Sequence, residues 1–423
     1  MKMLRKKPWR FAALGPLPLL AVVLVPSLLL AQHVEHAPVV GDRQLTLAAV
    51  VQSALTHAPE ALEVAARADQ AAAFTANGRS WLAGRPNLQG LLYDDRTFQD
   101  TGLNEQEYWL QLPLWRPGER RDMAALGADY QRQSAEWRQY LALLISGSVR
   151  DLLANLEEAD LLLKLEQQAT TDAETLRDLT ARLVDSGAAA RLDLMQAESL
   201  LLQQRKRLLD ASAALVDAEV VYATTTGLQA RPEPALQEIL LEASEVPETH
   251  PLLEYLKTSI DVAEGTLRQA EISAKGNPQF GIGTRHQRAD QFTAPLDTIN
   301  LGFTIPFGGK GFVSSTTSAA RRSKVDAEVE LLAARRALGL ALHDAEHELD
   351  TVRAALPLAR EQAALAEQRS RMAQTAFEVG ELTMVQVVPA LQDARSSQRE
   401  LLQLQLREQR LISYYNQALG NVP

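Results

Sequence analysis

The 423 residues contain no cysteine, and aromatic side chains make up only 5% of them. Without cysteine there is no disulfide, no thiolate nucleophile and no thiolate metal ligand. Nor is there a residue to carry a lipid anchor after export. Positive charge is also scarce: 43 Lys and Arg stand against 53 Asp and Glu, for a net charge of −10. That balance excludes the basic footprint on which nucleic-acid binding depends. Apolar residues form a long run only once, from Phe11 to Ala31, broken by Pro16, Pro18 and Pro26 and preceded by Lys2, Arg5, Lys6, Lys7 and Arg10. A basic stretch leading into an apolar one predicts a secretory signal peptide over residues 1–31, cleaved near Ala31. An uncleaved anchor is the other reading, since the run is about long enough to span a bilayer. Loss of the five basic residues with the leader takes the net charge to −15.

What the chain does contain is a copy of itself. His57 and His250, Pro113 and Pro306, Gly187 and Gly380, Tyr222 and Tyr415, and Gly227 and Gly420 are each 193 residues apart. Pro86 and Pro278 miss the offset by one residue. Small solenoid modules repeat every 20–50 residues, so a unit nearly half the chain long is a whole multi-element structure duplicated once. We therefore expect a first repeat over 32–229 and a second over 230–423, with Arg231, Pro232, Glu233 and Pro234 as the linker. Pseudo-symmetric halves of this size suit the lining of a common axis.

The body is rich in Ala, Leu, Gln, Glu and Arg, a composition of long helices. No proline interrupts 118–186. Tyr130, Trp137 and Leu144 recur there every seven residues, and Leu176, Leu179 and Leu183 follow at three and four. In the second half Leu342, Ala345, Leu349, Val352 and Leu356 keep the same spacing, then Leu365, Met372 and Val379 recur at seven. A period near 3.5 predicts coiled-coil seams on long helices over about 118–186 and 311–378. Pro357 lies inside the second and should kink it. Shorter helices are expected at 45–83, 191–226, 251–274 and 382–419.

Two segments follow period two instead. Tyr108, Leu110 and Leu112 alternate with Glu107, Trp109 and Gln111, while Ile299, Leu301, Phe303 and Ile305 alternate with Asn300, Gly302 and Thr304. Alternation over about ten residues predicts strands at 104–114 and 297–307, each with one apolar and one polar face. Weaker strands precede them at 87–94 and 279–287. Such segments fit transmembrane β-barrel strands whose apolar faces meet lipid. Hairpins packed on the helices remain the alternative. Four spanning strands with open edges are not viable alone. Two chains would supply eight strands and three would supply twelve, the smaller number of chains leaving no lumen.

Duplicated units of helix, hairpin, long helix and second helix resemble the TolC-type outer-membrane efflux channels over about residues 45–420. Val379-Gly380-Glu381-Leu382-Thr383 is similar to that family's periplasmic tip turn, and Val184-Asp185-Ser186-Gly187 is a looser copy. The resemblance implies a mainly α fold with a small β part, in which a homotrimer builds a twelve-stranded barrel continuing into a periplasmic α-barrel. It implies an exit duct that lies in the outer membrane and works with a periplasmic adaptor and an inner-membrane pump. The adaptor contacts would then be Val184, Gly187, Val379, Gly380 and Thr383. Relatives place acids after the tip to line a closed entrance. Asp193 is the candidate here, with an ordinary helix-start aspartate as the equal alternative; its partner at the 193 offset is Gln386. Residues 85–88 and 276–280 look most like channels of heavy-metal cation efflux systems. A drug-efflux or type I secretion channel, a periplasmic adaptor and a soluble coiled-coil protein are the other readings.

Catalytic chemistry is not expected. His343 and His347 share a helix face, yet Asp344 stands where a zincin helix needs glutamate. His33 and His36 have no scaffold to fix them as ligands. No nucleophile elbow or phosphate-cradling glycine loop is present, and no cofactor is expected.

Overall fold

The computed structural model describes residues 37–423, Gln99 excepted; the expected signal peptide, His33 and His36 lie outside that range. The chain runs through β1 (Val40–Asp42), α1 (Leu47–His57), α2 (Ala61–Arg79), β2 (Asn87–Asp94), β3 (Asn104–Pro113), α3 (Glu119–Asp185), α4 (Arg191–Thr226), β4 (Ala230–Pro232), α5 (Pro251–Ser273), β5 (Gln279–Arg288), β6 (Leu296–Thr304), α6 (Lys310–Glu378) and α7 (Met384–Ala418). This is a mainly helical fold with a small β part. α3 and α6 have 67 and 69 residues, which at 1.5 Å per residue makes each about 100 Å long.

Several elements depart from the sequence reading. The single helix expected over 45–83 is two. Proline disfavours helical backbone in the residue before it, and Ala58, ahead of Pro59, is extended at φ −67° and ψ 129°. The expected linker is partly a strand, since β4 pairs in parallel with β1. Strand β6 ends at Thr304, so Ile305 lies beyond it. Pro357 does not end α6. Leu356 and Ala359 on either side of it are buried, and that packing outweighs one lost backbone hydrogen bond. Leu342, Ala345, Leu349, Val352 and Leu356 are all buried as a seam. Leu365, Met372 and Val379 are not: each is exposed, with no partner helix inside the chain.

The 193-residue landmarks mark recurring contacts. Gly227 and Gly420 have φ of 70° and 81°, and a Cβ on either would collide with His57 or His250 at 2.4 and 2.7 Å. Each histidine at the start of a repeat thus packs on the glycine that ends it. Tyr222 and Tyr415 both send their hydroxyls to backbone carbonyls of the connection between the repeats, at Ala230 and Ala243. That connection is tied down further by Arg150 of α3, which is 1% exposed. Its guanidinium donates to Glu238 at 2.6 and 2.8 Å and also to Gln417 near the end of α7. A buried arginine needs every such partner, because an uncompensated charge there costs several kcal/mol, about 3–5.

His250 is 1% exposed and caps α5, its Nδ1 accepting from the Leu252 amide at 3.1 Å. Burial holds its pKa down at about 4, against 6.5 for the free side chain. Between those values the unfolded chain binds a proton that the folded chain does not. The stability linked to His250 is therefore whole above pH 6.5 and declines as pH falls toward 4, by about 3 kcal/mol at most. His250→Asn keeps a capping side chain and removes the titration. Thermal midpoints measured from pH 7 to 4.5 should fall less steeply for the variant than for the wild type.

Candidate functional site

Strands β2, β3, β5 and β6 form one antiparallel sheet in that order, with β3 paired to β5 across the two repeats. Register decides what each face carries. Leu88, Leu110, Ile282 and Leu301 stand in one row across all four strands. Flanking it on the same face are a row with Tyr108 and Ile299 and a row with Leu112, Phe280 and Phe303. Tyr108, Leu110, Ile299, Leu301 and Phe303 are exposed, Leu301 at 69%, whereas Leu112 is half-buried. Ile305 is exposed too, but lies past the strand. One end of this apolar band is closed by a polar rim, where His286 Nδ1 lies 2.6 Å from the Asp297 carboxylate.

The opposite face is polar. Gln89, Trp109, Gly283 and Asn300 form one row, and Glu107, Arg285 and Thr298 lie in the next. Arg285 pairs with Glu105 at 2.6 Å and with Glu107 at 3.3 Å. The Trp109 ring lies over three glycines. A Cβ on Gly283 would meet it at 2.7 Å, and on Gly281 or Gly302 at 3.2 Å. Both outer strands, β2 and β6, keep one unpaired edge.

At the far end of the long helices the two reversals have the same construction. Gly187 and Gly380 take φ of 78° and 80°, and nothing lies within 4 Å of a Cβ built on either. Only the left-handed backbone demands glycine there. The amides of Ala188 and Glu381 donate to the carbonyls of Leu183 and Ala376, both at 2.8 Å, which is the bond that closes a Schellman turn. Val184 is half-buried, and Val379 and Thr383 are exposed. Thr383 precedes α7, where the Gln386 side chain accepts from its amide at 3.1 Å.

Asp193 is 6% exposed, so its carboxylate does not face an open entrance within the chain. One oxygen accepts from the Ala190 amide at 3.1 Å, and the other from the Met384 amide at 2.9 Å. A single side chain thus satisfies the starts of α4 and α7. It sits beside a core shared by α3, α4, α6 and α7 that includes Leu200, Phe377, Met384 and Val387. The helix-start part of this role follows from an acid three residues into a helix. The link to Met384 spans 191 residues and has no local sequence signal. His343 and His347 are exposed on α6. Among the described residues no cluster of potential metal ligands occurs, and no helix is long and apolar enough to cross a membrane.

Residues 246–418 match the family described as outer membrane efflux protein. By its second half, the chain belongs to the outer membrane efflux protein family. Among curated proteins, none matches the sequence. Solved structures extend the likeness in fold to both repeats of this efflux-family chain. CusC is 16% identical with a TM-score of 0.71, over 91% of this chain and 94% of that one. The outer membrane protein VceC of Vibrio cholerae is 15% identical with a TM-score of 0.71, over 89% and 96%. The MtrE outer membrane channel of Neisseria gonorrhoeae, in its open state, is 16% identical with a TM-score of 0.68, over 91% and 92%. An efflux-family protein of this kind belongs to the outer membrane and acts as a passive channel, not an enzyme.

The Asp193 contacts generate a direct test. Asp193→Ala leaves the Met384 amide buried without an acceptor, at a cost of about 1–3 kcal/mol. Hydrogen exchange should then quicken at the start of α7 and leave the Arg150 region unchanged.

Proposed function

We propose that three copies of the chain assemble into the exit duct of a tripartite efflux system. Twelve strands close a barrel across the outer membrane, and the long helices continue it as a periplasmic tube. The observation that carries this reading is the apolar row Leu88, Leu110, Ile282 and Leu301, exposed on one face and running across every strand. A soluble hairpin would bury such a row; a barrel turns it toward lipid. The opposite face, with Gln89, Trp109, Arg285 and Asn300, then lines the lumen. Open edges on β2 and β6 support assembly, because hydrocarbon supplies no partner for unpaired backbone groups.

In this reading the exposed reversals at Gly187 and Gly380 meet a periplasmic adaptor joined to an inner-membrane pump. Substrate passes through without being altered. Heavy-metal cations are the proposed cargo, on the likeness of residues 85–88 and 276–280 to channels of metal-efflux systems.

Arginine at a lipid-facing midplane position costs about 2–4 kcal/mol, and far less on the lumen side. Leu301→Arg should therefore lose trimer from the outer membrane, together with the tolerance to transition-metal cations that the wild type confers on a channel-deficient strain. Asn300→Arg should retain the trimer. Equal assembly of the two variants would refute the barrel, and an assembled wild type conferring no tolerance would refute the metal cargo. A photo-crosslinker at Thr383 should capture a periplasmic adaptor in cells; capture of no partner would count against docking at the tips.

A further inference from the structure

We propose that the wall of the tube is sealed between protomers by one antiparallel seam, in which α4 of each copy packs against α6 of the next. This rests on the trimeric duct proposed above and specifies the surface that closes it.

Two helices of the chain carry apolar stripes that nothing in the chain covers. On α4, Met195, Leu202 and Leu209 recur at intervals of seven and are 60%, 66% and 70% exposed. On α6, Leu358, Leu365 and Met372 also recur at seven and are 68%, 60% and 65% exposed. The two long seams inside the repeats join α3 to α4 and α6 to α7, while α3 and α7 meet across the repeats. α4 and α6 are thus the outer members of the four-helix set, and each shows its stripe on a free side. A strict period of seven is the pattern of a coiled-coil seam, and it keeps its face only if a second helix winds along it.

The stripes match in height. The Asp193 bond to the Met384 amide and the shared core hold the two tips at one level. Counted from the tip glycines, Met195 is 8 residues past Gly187 and Met372 is 8 before Gly380. Leu202 and Leu365 are each 15 residues away, and Leu209 and Leu358 are each 22. One helix leaves the tip and the other approaches it, so they run antiparallel and three apolar pairs fall at equal heights. Arg205 and Glu361, at 18 and 19 residues, have opposite charge on the same flank of that seam.

A first-repeat surface meeting a second-repeat surface is a head-to-tail contact, the kind that generates rings. The sheet asks for the same arrangement. Its open edges are β2 of the first repeat and β6 of the second, so one rotation pairs strands in the membrane and helices below it. A second copy of this chain is therefore the occupant of both stripes.

The absence of cysteine makes the test clean. Leu202→Cys and Leu365→Cys are introduced together, the detergent-extracted protein is oxidised, and products are separated without reductant. The seam predicts covalent dimers and trimers. The offset pair, Leu202→Cys with Leu358→Cys, is displaced by seven residues, about 10 Å along the helix, beyond disulfide reach. It should stay monomeric, as should each single variant. Equal cross-linking of matched and offset pairs would overturn the register. No cross-linking in an intact trimer, or linkage to a different periplasmic protein, would overturn the seam itself. The mass of the extracted wild type is measured separately, so loss of the trimer would count against the duct as a whole. As a second readout, Leu202→Lys and Leu365→Glu should each weaken the trimer and together restore it. Additive losses would overturn the pairing.

Discussion

The two long helices must end at the same height, and much of the molecule follows from that constraint. With α3 and α6 at 67 and 69 residues, a mismatch of one turn would lift one tip about 5 Å above the other. Asp193 could not then reach the Met384 amide, and the core around Phe377 and Val387 would lose its shared floor. Height is fixed at both ends. At the tips it is set by two Schellman turns of the same form. At the sheet it is set by the β3–β5 register, which binds the repeats with Leu110 opposite Ile282. Between these ends Arg150 fastens the connection to α3 and to the end of α7.

The fold was legible wherever the physical demand is local. Glycine at a left-handed turn, proline at a strand's end and a histidine pressed on a glycine need particular residue types, so duplication preserved them at a fixed offset. Period-two alternation located the strands within a few residues for the same reason: each side chain takes its face from its own backbone. Pro59 was a local signal as well, and the break it makes between α1 and α2 was passed over in favour of helical composition.

What stayed hidden depends on partners distant in sequence. A heptad stripe shows that a helix wants company, not which helix supplies it. Leu349 and Leu365 read alike in sequence, yet one is buried and the other exposed. Asp193 raised the same difficulty in polar form. Its place near the tip was visible, whereas the amide it satisfies belongs to the other repeat. The short β1–β4 pair escaped notice because three residues are too few to show a period. On the sheet, Trp109 was read only as one member of an alternating series, and its glycine bed comes from strands well over a hundred residues later.

That glycine bed bears on the calibre of the duct. Gly281, Gly283 and Gly302 leave the wall bare of side chains on its inner face, and the Trp109 indole spreads over the gap. In that patch one flat ring does the work that several side chains do elsewhere, and three-fold symmetry repeats it around the bore. The clearance at that height is consequently set by the tilt of a single torsion-limited ring rather than averaged over many flexible groups. A wall built in this way is a rigid washer: its inner diameter hardly breathes, and evolution can re-gauge it by changing one codon.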